Sequence, residues 1–200
     1  MGRLAFIFAA ITCATGVGPN LANADESSDA VALVEQVRQT ALELARGGSA
    51  ALIARETKAI RAAFDGPSIG RVVLGAYWAS ATIRERAEFV DALLDVSTHR
   101  LADRLAGATD QAFVVLGSQV LPNGDLLVKS KFSRAIQEPT TVDWRLHHCQ
   151  NALCIVDVVV NGASVSLQRR DDVAAQMAAS GGSIAKVTTD LHKDRAGVAP

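Results

Sequence analysis

The chain has 200 residues, and its 20 basic side chains nearly balance 21 acidic ones, which leaves a formal net charge of −1 at pH 7. Nucleic-acid binding needs a concentrated basic face, whereas the pair Arg169-Arg170 is followed directly by two aspartates. The composition therefore argues against a nucleic-acid partner, and the length allows a single domain with a sizeable core.

The first 24 residues have the order of a secretory signal peptide. Arg3 supplies one positive charge, residues 4–17 are almost wholly apolar, and Ala22-Asn23-Ala24 is an A-x-A cleavage site followed by acidic residues. The apolar run is shorter than the about 20 residues of a membrane span, which disfavours an uncleaved anchor. Cys13 lies inside the run and not after it, which disfavours a lipoprotein. We expect an exported mature chain that begins at Asp25.

The chain before residue 108 has the apolar periodicity of helices. Gly47-Gly48 and Asp65-Gly66-Pro67 are expected breaks between helices. Thr82 and Glu85 have the spacing of a capping box at the start of a long amphipathic helix, which Gly107 ends. The predicted helices cover residues 27–45, 49–64, 68–79 and 82–106.

The pattern then changes to a period of two residues, which is typical of strands with one covered face. Two more helical segments close the chain, and Ser164 is the expected N-cap of the first. The predicted fold class is α+β, with N-terminal helices, a four-stranded antiparallel sheet and C-terminal helices. The predicted strands cover residues 112–121, 126–133, 141–146 and 154–160, and the closing helices cover residues 164–179 and 183–192.

Cys149 and Cys154 are the two cysteines of the expected mature chain. An even pair in an exported protein predicts a disulfide, here across a hairpin turn. Metal binding with His147 and His148 is the alternative. Adjacent strand residues point to opposite faces, and the spacing matches no standard zinc pattern, so we expect no metal.

Asp157 conflicts with the predicted alternation of its strand. If the two cysteines lie directly opposite each other, Leu146 faces Asp157, and an apolar face receives a carboxylate. Either a β-bulge shifts the register or Asp157 has an internal role. That role is an ion pair with Arg145, which the sequence favours, or a general base whose pKa burial raises.

Two segments resemble the MlaC family of periplasmic phospholipid-binding proteins, also called the toluene-tolerance family. The first runs from Ile69 to Thr82 and contains the pattern LG-x-Y-W. The second comprises Val142–Leu146 and Ile155–Ser164 and contains the pattern D-V-x-V-x-G-x-S. The similarity spans residues 31–191, and neither pattern is a catalytic signature. The stretch Met177–Ser183 is similar to the hopanoid-associated HpnM branch, so the phospholipid and hopanoid branches both stay open.

The resemblance implies a periplasmic lipid carrier that needs no cofactor. Its family carries phospholipid between the outer membrane and an inner-membrane ABC transporter, and holds acyl tails in an apolar cavity between sheet and helices. The implied partners are an inner-membrane MCE-domain component and an outer-membrane lipoprotein–porin complex. One lipid-binding domain is expected over residues 25–194, with a loose tail over 195–200. The expected cavity lining is Val73, Leu74, Tyr77, Val90, Leu94, Val128, Phe132, Trp144, Val158 and Val160.

Two other classes of function are compatible with this order of elements. A cone-shaped α+β enzyme, such as an isomerase or dehydratase, needs a polar pair deep in its pocket, and only Asp157 and Tyr77 are candidates. An exported adaptor without a ligand needs a filled core. The sequence favours the carrier, which is not an enzyme.

Overall fold

The structure, a computed structural model, describes residues 21–108, 110–150 and 152–196. The predicted leader up to residue 20 and residues 197–200 of the predicted tail lie outside these ranges. The element order confirms the α+β class. The helices and strands are α1 (Leu21–Ala45), α2 (Ala50–Ala62), α3 (Gly66–Leu74), α4 (Tyr77–Ser80), α5 (Ile83–Ala106), β1 (Ala112–Val120), β2 (Leu126–Arg134), β3 (Gln137–Cys149), β4 (Ala152–Val160), β5 (Ala163–Ser164), α6 (Val165–Ala179) and α7 (Ile184–Ala196).

Local sequence signals position the starts of the long helices. The Thr82 hydroxyl accepts a hydrogen bond from the Glu85 backbone N–H, and the Glu85 carboxylate accepts one from the Thr82 backbone, so the predicted capping box of α5 is confirmed. The hydroxyls of Ser49 and Ser164 each accept a hydrogen bond from a backbone N–H at the start of α2 and α6. The helix predicted over residues 68–79 is wrong, because Gly75 adopts a φ of 55° and separates α3 from α4.

The strands form one antiparallel sheet in the order β1-β2-β3-β4-β5. The sheet has five strands and not the predicted four, because the chain turns back after β4 and Ala163 pairs with Val160. This fifth strand has two residues and leads directly into α6. A two-residue strand has no periodicity of its own, which is why the alternation pattern missed it.

A β-bulge in β4 explains the conflict at Asp157. Leu146 pairs with Ile155, whereas its neighbour Arg145 pairs with Asp157, so Val156 is the additional residue in β4. The bulge keeps the carboxylate away from Leu146 and restores an apolar inner face.

The buried side chains form two separate clusters. The first cluster joins α1 to the inner face of the sheet and includes Val34 and Trp144. The second cluster joins α3, α5, α6 and α7 and includes Phe89, Met177 and Leu191. Within the described residues, none of the helices combines the length and the apolar character needed to cross a membrane.

Candidate functional site

A cavity of about 440 Å³ lies between the two core clusters. Its lining includes Trp144 and Phe132, which belong to the first cluster or pack against it, and Val73 and Leu93 of the second. This volume falls within the roughly 300–1,000 Å³ that is typical of small-molecule sites. A pocket therefore separates the two parts of the core.

The floor of the cavity is a row of side chains across the sheet. Trp144 and Val158 are direct cross-strand neighbours on β3 and β4 in this row, and Phe132 of β2 also lines the cavity. Trp144 is 1% exposed, and its indole N–H donates a hydrogen bond of 3.1 Å to the Ser130 hydroxyl. Ser130 in turn donates to the Val142 carbonyl at 2.6 Å. The polar atom of the indole is satisfied inside the sheet, so its apolar ring is available to the cavity.

Two helices supply further walls. Leu94, Leu101 and Leu105 lie on one side of α5, and they line the cavity with the second half of that helix. Val165 and Arg169 lie one turn apart near the start of α6 and line it as well. Both sets follow the three-to-four-residue spacing of a helix face. The stripe on α5 therefore contributes both to packing and to a pocket wall.

The structure does not form the predicted ion pair between Arg145 and Asp157. The Asp157 carboxylate accepts hydrogen bonds from the Ser164 hydroxyl at 2.6 Å and from the Ser166 backbone N–H at 3.1 Å. Arg145 donates instead to Asp125 at 2.6 Å. The free N–H groups at the start of α6 are good partners for a carboxylate. Asp157 therefore fastens α6 to the edge of the sheet.

A second, more polar pocket of about 430 Å³ includes Ser68, Asp125, Arg145 and His147. His147 Nε2 lies 2.7 Å from an oxygen of Asp65, and the Ser68 hydroxyl donates to the same carboxylate at 2.6 Å. Burial opposes ionisation, but the hydrogen bonds from Ser68 and His147 outweigh it and hold the pKa of Asp65 below its usual value of 3.8. Because the serine donates to the aspartate and not to the histidine, the three do not form a nucleophile–base pair.

The structure links Cys149 and Cys154 in a disulfide. The cysteines do not lie directly opposite each other, since Cys149 pairs with Ala152 in the ladder. His148 lies 2.9 Å from Glu26 of α1, whereas His147 belongs to the polar pocket. The four residues considered as metal ligands therefore have other partners.

The structure brings six of the ten expected lining residues together at the cavity. The other four lie elsewhere, for different reasons. Leu74 is buried in the second cluster, Val128 is buried in the first, and Val90 packs where α3 approaches α5. Tyr77 is 36% exposed because the break at Gly75 directs α4 away from the core. The six residues that line the cavity are Val73, Leu94, Phe132, Trp144, Val158 and Val160.

Sequence reasoning missed the charged part of the lining. Arg100 and Arg104 of α5 and Arg169 of α6 all line the cavity. The side chain of Arg169 is only 14% exposed. The available signal was spacing, because Arg100 and Arg104 flank Leu101 on the side of α5 that carries the apolar stripe.

Comparisons with known proteins agree with this architecture. The sequence model described as "MlaC protein" matches residues 31–193. A solved structure of a phospholipid-binding protein from Ralstonia solanacearum, in complex with a phospholipid, is similar with a TM-score of 0.71 and 19% sequence identity, over 87% of this chain and 98% of that one. At 19% sequence identity, this similarity shows only that the two proteins share a fold. The search of curated proteins gave no match. Since the family match covers most of the sequence, the chain belongs to the MlaC family.

Proposed function

We propose that this protein is a periplasmic phospholipid carrier whose cavity shields acyl tails from water. The cavity of about 440 Å³ between two separately packed clusters is the observation that carries the proposal. An adaptor without a ligand has no need for such a gap, because unfilled apolar space destabilises a core. The similar Ralstonia solanacearum protein, whose structure contains a phospholipid, supports the same ligand class.

The energetics of such a site depend mainly on apolar contact. Each methylene transferred from water into the cavity contributes about 0.8 kcal/mol, so about ten methylenes supply about 8 kcal/mol. A bilayer shields acyl tails from water as well as the cavity does. The free energy of moving a lipid between the membrane and the protein is therefore close to zero. A carrier can therefore load and release its lipid through differences in affinity between donor and acceptor, without covalent chemistry.

An enzymatic role has little support from the polar groups near the cavity. Asp157 is engaged by Ser164 and by the start of α6, and Tyr77 lies outside the lining. These were the two candidates for a catalytic pair. Catalysis by acid–base chemistry needs a group within hydrogen-bond reach of a bound substrate.

The location and the partners belong to the same proposal. The signal peptide predicted over residues 1–24 directs the chain to the periplasm. There the protein shuttles lipid between an outer-membrane lipoprotein–porin complex and an inner-membrane ABC transporter with an MCE-domain component, as the family resemblance implies. A carrier of this kind needs no cofactor to bind or release its lipid.

Native mass spectrometry of the mature protein, purified from its own cell envelope and followed by organic extraction, tests the proposal. A carrier is expected to retain about one lipid per chain, and the extract should contain phospholipid. Hopanoid or squalene in the extract would assign the protein to the other branch. A ligand-free mass with no uptake from added vesicles would contradict a carrier and favour an adaptor, and conversion of an added lipid would favour an enzyme.

A further inference from the structure

We propose that Arg100, Arg104 and Arg169 form a binding site for the phosphate of the cargo at the opening of the apolar cavity. This inference rests on the proposed carrier function and makes it more specific. It assigns phosphate-bearing lipids as cargo in preference to uncharged lipids with similar tails.

The three arginines lie on two elements that face the same space. Arg100 and Arg104 are one turn apart on α5, and Arg169 is on α6, and all three line the cavity. The deep part of the cavity is almost sealed, since Trp144 and Val73 are each 1% exposed. In contrast, the Arg100 side chain is 38% exposed. Arg104 is exposed as well, so the two arginines of α5 lie at the solvent end, where a headgroup remains when its tails are buried, and Arg169, with its side chain 14% exposed, lies further in.

These arginines have weak partners within the described residues. The nearest contact of Arg100 to Asp194 is 3.7 Å, and that of Arg169 to Asp172 is 3.6 Å, both longer than a hydrogen bond. Within the described parts of the chain, the Arg104 side chain forms no ion pair or hydrogen bond. Their N–H donors are available to a ligand.

Three arginines outside the cavity are more tightly engaged. Arg145 donates to Asp125 at 2.6 Å, and Arg84 donates to Glu88 at 2.7 Å. Arg86 donates to the Trp78 carbonyl at 2.9 Å. The pairing of the cavity arginines is thus looser than that of these three arginines.

The acidic groups of the lining do not neutralise this site. Asp172 is the loose partner of Arg169, and Asp157 is held by Ser164 and Ser166. Three cations therefore face the cavity against one loosely paired carboxylate and one engaged carboxylate. Arg100 and Arg104 are also like charges at the i,i+4 spacing, which destabilises a helix unless an anion lies between them.

Phosphate matches this arrangement chemically. A guanidinium presents several N–H donors in a planar fork, which binds phosphate oxygens through two parallel hydrogen bonds. An uncharged headgroup would leave three cations facing it without compensation. The site is therefore expected to select for phosphate independently of the tails.

The test compares two lipids that share their tails and differ in the phosphate. Delipidated protein is mixed with phosphatidylcholine vesicles that contain equal amounts of phosphatidylglycerol and diacylglycerol, and bound lipid is quantified by native mass spectrometry. The variant Arg100→Gln/Arg104→Gln is compared with the wild-type protein. Arg46→Gln is the matched control, because Arg46 is exposed and lies outside the cavity lining.

We expect the ratio of bound phosphate-bearing lipid to diacylglycerol to fall about tenfold or more in the double variant, because two charge-assisted donors are lost. Diacylglycerol uptake should persist, and Arg46→Gln should retain the wild-type ratio. An equal ratio in wild type and double variant overturns the phosphate site but leaves the carrier intact. Failure of every protein to take up any lipid contradicts the carrier function itself.

Free phosphate is the other source of the same chemistry. A titration of delipidated protein with inorganic phosphate, monitored by ³¹P NMR, distinguishes a site for free phosphate from a site for a lipid headgroup. We expect no saturable binding at micromolar phosphate, because the apolar contacts of the tails are absent. Tight phosphate binding that the double variant abolishes, without any lipid preference in the wild type, would identify a free-anion site and overturn the assignment to lipid.

Discussion

Asp65 is the residue that joins α3 to the sheet. Its carboxylate accepts a hydrogen bond of 3.0 Å from the Ser68 backbone N–H, which caps α3, and contacts the ring of His147 on β3. Its backbone N–H donates to the Ile155 carbonyl at 2.9 Å. One side chain and its backbone thus hold the start of a helix beside the bulged strand.

The low pKa of Asp65 predicts a loss of stability in acid. Because the pKa is lowered in the folded state, the ionised carboxylate stabilises the fold above pH 3.8, and this contribution disappears as the pH falls through the folded-state pKa. Asp65→Asn should lower the free energy of unfolding by about 1 kcal/mol near pH 5. The difference from wild type should shrink at a second, lower pH below 3.8, where the carboxylate becomes protonated. Urea denaturation at both pH values measures it.

Asp171→Asn is the matched control for this experiment. Asp171 is exposed on α6, and no side-chain partner is present among the described residues. Its replacement should have little effect at either pH. A cost of Asp65→Asn that is the same at both pH values would contradict the assigned ionic role.

Single residues also show the limits of reading the sequence. The conflict at Asp157 could be identified from alternation alone, and a bulge was one of its two solutions. The partner of Asp157 could not be identified, because the start of α6 reaches it only through the two-residue strand β5. Arg145 pairs with Asp157 in register yet bonds to Asp125, so register alone does not determine an ion pair.

Among the helices, α3 and α5 approach each other closely. A Cβ placed on Gly70 would lie 2.6 Å from a methyl of Val90 and 3.0 Å from the Trp78 ring. A Cβ on Gly66 would lie 2.7 Å from Val90 as well. Val90 therefore packs against glycine backbone and does not line the cavity. Such close packing depends on which residues α3 presents to α5, so the stripe on α5 alone could not reveal it.

Gly70→Ala should destabilise the protein by about 1–3 kcal/mol, although alanine favours a helix more than glycine does. The added methyl group has no space beside Val90 unless α3 moves. Thermal unfolding followed by circular dichroism measures the effect. Gly107→Ala is the control, because its nearest contacts are at 3.6 Å and its φ is −68°. Equal melting temperatures for Gly70→Ala and wild type would contradict the tight contact.

The element boundaries were predictable where local chemistry determines them. Caps and breakers located the starts of α2, α5 and α6, because each uses side chains within three residues of the helix. The division between α3 and α4 was missed, since the apolar pattern continues across Gly75. Tyr77 was expected to line the cavity for the same reason.

For the whole molecule, the division of the core is the property that the sequence could not show. Apolar side chains that fill a core and those that line a cavity have the same composition and spacing. The sequence predicted where apolar faces occur, and six of the ten expected residues meet at the cavity. Whether those faces close on each other or leave a gap depends on tertiary packing, in which α1 and α7 contribute to different clusters.

The central claim is that the gap between the clusters holds the lipid tails. Val158 lies on the cavity floor beside Trp144, so Val158→Trp would fill the space without changing the outer surface. Val114→Trp is the matched control, because Val114 is 45% exposed on the edge strand β1.

The most direct measurement is the lipid content of these two variants and the wild type, by native mass spectrometry, with circular dichroism to establish that each is folded. We expect Val158→Trp to remain folded and to lose most of its bound lipid, while Val114→Trp retains the wild-type content. A folded Val158→Trp protein with wild-type lipid content would contradict the claim, because the tails would then have to lie outside the cavity.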